Sequence, residues 1–318
     1  MMEKLFLNEL LETVTKVAIA GHTKPDGDCV GSCLGLYNYI KDQFPGTKVD
    51  VYLEPIPPEF EFLRGADKIK EITEECPEYD VFFALDCGDE SRLSGILPCF
   101  QKAKKRICID HHCSNTAYGD INYVVGDASS TSELIYHLIG SNQITKETAE
   151  CLYMGIAHDT GIFQYSCTSP DTMEAAAELM RKNIDFTEII DRTFYEKTYP
   201  QNQIMGEALC RSKMDLDGKL IYSVITFEQM AKYGASSADL DGIVSQLRVT
   251  TGVEVSLFLY ETGRNSYKVS MRSKSKVDVA KIAVELGGGG HVRAAGASVD
   301  GTFDEIIAQI KEKVRQQL

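Results

Sequence analysis

No stretch of this 318-residue sequence approaches the roughly 20 consecutive apolar residues that a membrane-crossing helix needs. The opening run Met1-Met2-Glu3-Lys4-Leu5 leads straight into an amphipathic pattern with acidic residues, unlike a secretory signal, so a soluble, cytoplasmic protein is expected. There is no C-x-x-C. The ten cysteines, among them Cys29, Cys33, Cys87, Cys108, Cys151 and Cys210, follow no zinc-like spacing and are expected as free, reduced thiols. Internal repeats, low-complexity segments and a Ser/Gly-rich linker are also absent. Basic charge is scarce in the first 210 residues, which carry 18 Lys+Arg against 34 Asp+Glu, or −16 of a total of −14. Residues 211–318 balance at +2. Such an acidic body repels a long polyphosphate backbone and argues against long duplex nucleic acid as a partner. Most of those charges read as solvated surface; a cation-loading site would account for the rest.

What is present is ordinary globular composition, 43% hydrophobic and 25% charged. The length suits two domains, since single cores stop growing near ~250–300 residues. Val17-Ala18-Ile19-Ala20, Lys48-Val49-Asp50-Val51-Tyr52, Val81-Phe82-Phe83-Ala84-Leu85 and Arg106-Ile107-Cys108-Ile109 read as short strands between helical patterns. This alternation predicts an α/β fold with a mainly parallel sheet flanked by helices. Ser130-Thr131-Ser132-Glu133 reads as a capping box opening a further helix. Lys219 to Ile225, Val253 to Tyr260 and Ser266 to Met271 predict strands of a smaller α/β unit, followed by helices near 277–286 and 303–317. The expected division is 1–190 for a catalytic domain, 191–210 for a linker region and 211–318 for a second domain.

Five of the six histidines fall in clusters with carboxylates or glycines; His137 does not. The clusters are His22-Thr23-Lys24-Pro25-Asp26-Gly27-Asp28, Asp86-Cys87-Gly88-Asp89, Asp110-His111-His112, His158-Asp159-Thr160-Gly161, and the C-terminal Gly287-Gly288-Gly289-Gly290-His291. The first three follow predicted strands, where open parallel sheets bind ligands. Singly, each also reads as turn or cap chemistry. The first four together converge hard oxygen and imidazole donors without thiolate, which suits two Mn²⁺ ions, with Mg²⁺ as the alternative, better than structural zinc.

The glycine run is no P-loop, because His291 follows Gly290 in place of Lys. It reads either as a helix C-cap and loop or, if Arg293-Ala294-Ala295-Gly296 opens a new helix, as an anion site built from bare N–H groups. Met271-Arg272-Ser273-Lys274-Ser275-Lys276 supplies a basic, hydroxyl-rich strand end, and Arg272 is the residue best suited to grip a phosphate. Lys274 and Lys276 read as a solvated edge.

Asp110-His111-His112, with His22-x3-Asp26-x-Asp28 and Asp86 upstream and Asp159 beyond, resembles the DHH phosphoesterase superfamily. The Gly-rich segment through Gly296 is similar to its DHH-associated substrate domain. The resemblance spans about residues 15 to 300 and lies nearest the bifunctional oligoribonuclease/pAp phosphatase (NrnA-type) group. It implies one metal held by His22, Asp26 and Asp86, and a second held by Asp28, Asp86, His111 and Asp159, with Asp86 bridging. It implies Asp110 as an orienter of imidazole and His112 as a donor or general acid toward phosphate. Arg272, Ser273, Gly288, Gly289, Gly290 and His291 are then the expected substrate-binding positions, facing the metals across an interdomain cleft. The implied substrates are short RNA and 3′-phosphoadenosine 5′-phosphate (pAp), hydrolysed by a monomer or homodimer. Two rivals are hydrolysis of pApA or c-di-AMP, and a nucleotide sensor without turnover. A pyrophosphatase shares the metal lobe but lacks the Gly-Gly-Gly-Gly-His segment.

Overall fold

The apolar runs read as strands pair in parallel. The computed structural model describes residues 7–73 and 75–318, so the run Met1 to Leu5 lies outside the described residues. In the first unit the strands are β1 (Lys16–Ala20), β2 (Lys48–Tyr52), β3 (Ile69–Lys70), β4 (Val81–Leu85), β5 (Arg106–Asp110) and β6 (Ile121–Val124). They form one six-stranded sheet in the order β3-β2-β1-β4-β5-β6, with every pairing parallel.

Period-2 alternation explains why the central strands are apolar throughout. Val17 and Ile19 of β1 and Val81, Phe83 and Leu85 of β4 enter one core. Ala18, Ala20, Phe82 and Ala84 enter another on the opposite face, with Cys99 and Phe100. A parallel sheet buried on both faces has no place for a polar alternation. Full burial of a side chain such as Phe83 stabilises the fold by about 1.5–3 kcal/mol.

The larger core is covered by helices Gly27–Gln43, Thr131–Ile139 and Lys146–Asp159. The first and last of these touch through glycine. A Cβ on Gly31 would lie 2.6 Å from the Cys151 carbonyl and 2.9 Å from Gly155. This close approach brings the start of one helix, with Asp28, toward the end of the other, with Asp159. The chain runs β1, β2, β3 outward on one side of β1 and then restarts with β4 on the other side. The strand order therefore reverses between β1 and β4, and such a switch point opens a crevice at the carboxyl ends of the strands.

Compact units span Met1–Glu196 and Lys197–Leu318, so the division falls inside the segment read as a linker. Helix Tyr199–Cys210, within that segment, buries Ile204 and Ala208 in the core of the second unit. The second sheet comprises β7 (Lys213–Asp215), β8 (Leu220–Ile225), β9 (Val255–Gly263), β10 (Ser266–Ser273), β11 (Gly289–His291) and β12 (Ala294–Asp300). Their order is β11-β12-β10-β9-β8-β7, antiparallel except for the β8–β9 pair.

Three expectations need correction. Arg293 to Gly296 opens no helix: Ala294 begins β12, which pairs with β11 as an antiparallel hairpin. Gly287, at φ +77, ends helix Val279–Glu285, and Gly288 and Gly290 lie so close to β12 that Cβ atoms there would meet Gly296 O at 2.2 Å and Ala294 O at 2.5 Å. These glycines therefore close a hairpin and do not form a helix-start anion cradle. Secondly, Cys76 and Cys99 form a disulfide, because the segment before β4 lays Cys76 with its Cα 4.9 Å from that of Cys99. Thirdly, the capping box is only half made. Ser130 Oγ accepts from Glu133 N at 3.0 Å, but the Glu133 carboxylate turns to Ser129 and Thr172. Among the described residues no helix is long and apolar enough to cross a membrane.

Candidate active site

Three adjacent strands end at the switch point, and each delivers polar side chains there. Beyond β1 come Gly21 and His22, beyond β4 comes Asp86, and β5 ends in Asp110 followed by His111 and His112. Asp86 is almost fully buried and sits at φ +52, a left-handed conformation unusual for a residue other than glycine. Its backbone N–H donates to Ile109 O at 3.1 Å, which fixes the bend.

Asp86 stands at the centre of the cluster. His22 Nε2 lies 3.4 Å from Asp86 Oδ2 and 3.7 Å from Asp26 Oδ1. On the other side, His111 Nε2 lies 3.5 Å from Asp86 Oδ1 and 3.0 Å from Asp159 Oδ2. Asp28 is fully buried, and its two oxygens accept from the N–H groups of Thr131 at 2.7 Å and Ser132 at 2.9 Å. Those donors are the first residues of helix Thr131–Ile139, whose N-terminus favours a negative charge. Thr131 Oγ1 also donates to Asp86 Oδ1 at 3.2 Å, so one residue braces two carboxylates.

The imidazoles are oriented as ligands. His22 Nδ1 lies 2.8 Å from Thr23 O. A carbonyl can only accept, so Nδ1 carries a proton and Nε2 is the ring nitrogen turned toward the carboxylates. Electrostatics describe a site overloaded with negative charge. Burial opposes ionisation of the Asp28 carboxyl, and Asp86 and Asp159 add repulsion, which holds it well above the usual carboxylate range. Burial raises Asp159 in the same way, against the pull of His111. Burial works to lower His22 and His111, yet the neighbouring carboxylates outweigh it and lift them to about 11 and about 10. Buried carboxylates in excess, with two imidazoles presenting Nε2, are the donor set a pair of divalent cations fits. Asp28, His111 and Asp159 bring ligand atoms within 4.8 Å of one another, as do Asp86, His111 and His112.

His112 and Asp110 form a separate pair beside this set. His112 Nδ1 donates to Asp110 Oδ1 at 2.7 Å, leaving Nε2 for a substrate. Asp110, fully buried, also accepts from His111 N at 2.9 Å and from Asn115 Nδ2 at 2.6 Å. The Asp110 hydrogen bond is the main reason the His112 pKa is raised. Asp110 thus holds the ring of His112, and touches His111 only through its backbone.

Some clustered residues stay outside. Asp89 caps the turn after β4 by accepting from Ser91 N at 2.9 Å. The His158 ring packs against Phe60 and Phe194, with centroids 5.0 and 4.2 Å away. Sequence reasoning missed two residues that brace the site: Asn115 and Thr131. Only Thr131, inside a capping motif, carried any signal, and that signal pointed to helix capping.

In the second unit, Arg272 pairs with Ala294, and Ala294 pairs with His291. Directly paired residues share a sheet face, so Arg272 and His291 flank Ala294 in one row. Their face is the one opposite Met271, which is buried in the core under helices Val279–Glu285 and Phe303–Arg315. Ser273 belongs to the buried face. Its hydroxyl donates to Val292 O at 3.4 Å, so it ties down the hairpin and is removed from the expected substrate-binding set. Gly289 and Gly290 lie on exposed β11, and Gly288 leads into it.

Residues 16–156 match the DHH family, N-terminal domain, and residues 217–316 match the DHHA1 domain. The chain is 32% identical over 317 residues to the bifunctional oligoribonuclease and PAP phosphatase NrnA of Thermus thermophilus, covering 98% of this chain and 93% of that protein. It is 27% identical to the protein of the same name from Bacillus subtilis, over 95% of this chain and 97% of the relative. Among solved structures, an exopolyphosphatase-related protein from Bacteroides fragilis superposes with a TM-score of 0.86 at 28% identity, covering 97% of this chain and 94% of that one.

Proposed function

The chain belongs to the DHH phosphoesterase family, and from that premise we propose that it hydrolyses short oligoribonucleotides and pAp to nucleoside monophosphates. It is a hydrolase acting on phosphate esters. The observation that carries the reading is the His112–Asp110 pair standing beside the Asp86-centred cluster at one sheet edge. We assign His22, Asp26 and Asp86 to one cation and Asp28, Asp86, His111 and Asp159 to the other, with Asp86 shared. Two Mn²⁺ ions, or Mg²⁺, would supply an acidified water and neutralise charge on the phosphate.

The chain's own residues do the rest. Helix N–H groups fix Asp28, and Thr131 steadies Asp86, so the carboxylates need no reorganisation when the substrate arrives. His112, with Nδ1 bonded to Asp110, presents Nε2–H to the leaving oxygen and gives up that proton as the ester bond breaks. Arg272 and His291 bind the substrate away from the reacting phosphate, with Gly288, Gly289 and Gly290 shaping the hairpin that carries His291. A guanidinium grips phosphate bidentately, which makes Arg272 the main anchor. The −16 charge of the first 210 residues disfavours long RNA. Rates on long RNA should therefore rise with salt, as screening weakens the repulsion. Cytoplasmic location and a monomeric or homodimeric state belong to the same proposal.

The test is a panel of pAp, pApA, c-di-AMP and an RNA length ladder with Mn²⁺. Monophosphate release from pAp and from the shortest RNAs is expected. Turnover of pApA or c-di-AMP alone would make the protein a dinucleotide phosphodiesterase. Tight binding of nucleotides without any product would make it a sensor.

A further inference from the structure

One side of the centre contains a sulfur. Cys29 stands in the first turn of helix Gly27–Gln43, next to Asp28, and is fully buried. Its Sγ, a ring nitrogen of His22 and a carboxylate oxygen of Asp86 all lie within 4.8 Å of one another. The thiol's contact with His22 O is long, at 3.9 Å, so rotating toward a cation forfeits little. Space for the sulfur comes from Gly21 at the end of β1, where a Cβ would fall 2.2 Å from Cys29 Sγ. Cys33, one helical turn further on, brings its Sγ within 3.3 Å of the same point. The opposite side, formed by Asp28, His111 and Asp159, offers only oxygen and nitrogen.

We propose that the two cation positions differ in softness: His22, Cys29 and Asp86 make a thiophilic position for Zn²⁺ or Cd²⁺, and Asp28, His111 and Asp159 a hard one for Mn²⁺ or Mg²⁺. This rests on the reading of the cluster as a metal centre. Soft thiolate favours Zn²⁺ and its congeners, whereas carboxylate with imidazole accepts Mn²⁺. On binding, the thiol proton leaves to solvent and the freed sulfur lone pair bonds to the cation. A thiophilic ion should then displace Mn²⁺ from the first position and spare the second.

The experiment titrates the metal-free full-length protein with Cd²⁺ and follows thiolate-to-cadmium charge-transfer absorption in the ultraviolet. Wild type is compared with Cys29→Ser and Cys33→Ser, so that signal from the other cysteines cancels in the differences. Cys29→Ser should lose one sulfur–cadmium increment per chain and weaken the tightest Cd²⁺ site about tenfold or more. Cys33→Ser should keep the increment. Cadmium NMR of the wild type, which requires no variant to fold, should report a single sulfur ligand beside nitrogen and oxygen. Identical cadmium spectra for wild type and Cys29→Ser, or an all-oxygen-and-nitrogen NMR shift, would overturn the inference. Wild type that binds neither Cd²⁺ nor Mn²⁺ would instead overturn the underlying reading of a metal centre.

Discussion

His112 Nδ1 lies 2.7 Å from Asp110 Oδ1, and the same buried carboxylate is gripped on its other oxygen by Asn115 at 2.6 Å. A carboxylate held from both sides has one orientation, and it imposes that orientation on the imidazole. Asp110→Asn keeps the shape but removes the charge-assisted acceptor. It should lower kcat by about a hundredfold or more with a much smaller change in KM, because proton delivery matters only in the transition state. Steady-state kinetics on the preferred substrate decide this, and a kcat within about twofold of wild type would remove His112 from the proton-transfer role.

Arg272 and His291 flank Ala294 on one sheet face of the second unit. Arg272→Ala and His291→Ala should raise KM with a smaller change in kcat, the signature of contacts present in ground and transition states alike. Bound Mn²⁺, measured by elemental analysis, should stay at the wild-type level. Loss of metal in either variant would contradict the division of labour between the units.

Gly155 has no room for a side chain. Its Cβ would fall 2.0 Å from Ser132 Oγ and 3.0 Å from Asp28 Oδ1. Gly155→Ala should cost about 1–3 kcal/mol of stability by overpacking. It should also weaken Mn²⁺ binding, since Asp28 must shift. A thermal melt and a metal titration test the two effects together, and wild-type values in both would show that the helices slide apart without strain.

Burial holds the His158 imidazole down to about 4, against an ordinary 6.5. Between those values the unfolded chain binds the proton and the folded chain does not, so stability falls as the pH drops from 6.5 toward 4. His158→Phe keeps a ring between Phe60 and Phe194 and removes this titration. Urea unfolding across that range should show the variant losing less stability than wild type, by about 1–3 kcal/mol. Parallel acid slopes would mean that other groups set the acid limb.

Strands β1, β4 and β5 were legible because a sheet buried on both faces needs near-continuous apolar runs, and β2 was legible from its β-branched Val49 and Val51 despite the Asp50 between them. From that parallel order, the convergence of His22, Asp86 and His111 at the strand ends was legible as well. The two-residue β3 and the half-polar β6 left no comparable run. The hairpin of β11 and β12 was hidden because Gly and Ala carry no periodicity, and only the backbone contacts of Gly288 and Gly290 specify it. Ser273 was misassigned through parity, since it points to the face opposite Arg272. Partnerships made over long sequence distances had no local signal. These include Asp28 with Thr131, and Cys76 with Cys99. Cys29 was read as a free buried thiol, because its nearness to His22 and Asp86 arises from the fold and leaves no zinc-like spacing in the sequence.

The most direct measurement counts Mn²⁺ bound per chain by equilibrium dialysis, for wild type and for Asp86→Asn. Asp86 reaches His22 at 3.4 Å on one side and His111 at 3.5 Å on the other, so under the proposed assignment its charge would serve both cation positions. The account predicts about two ions for wild type and neither position filled at the same free Mn²⁺ in Asp86→Asn, with the fold intact by circular dichroism. Two ions retained by Asp86→Asn would contradict the shared carboxylate, and with it the arrangement of the whole site.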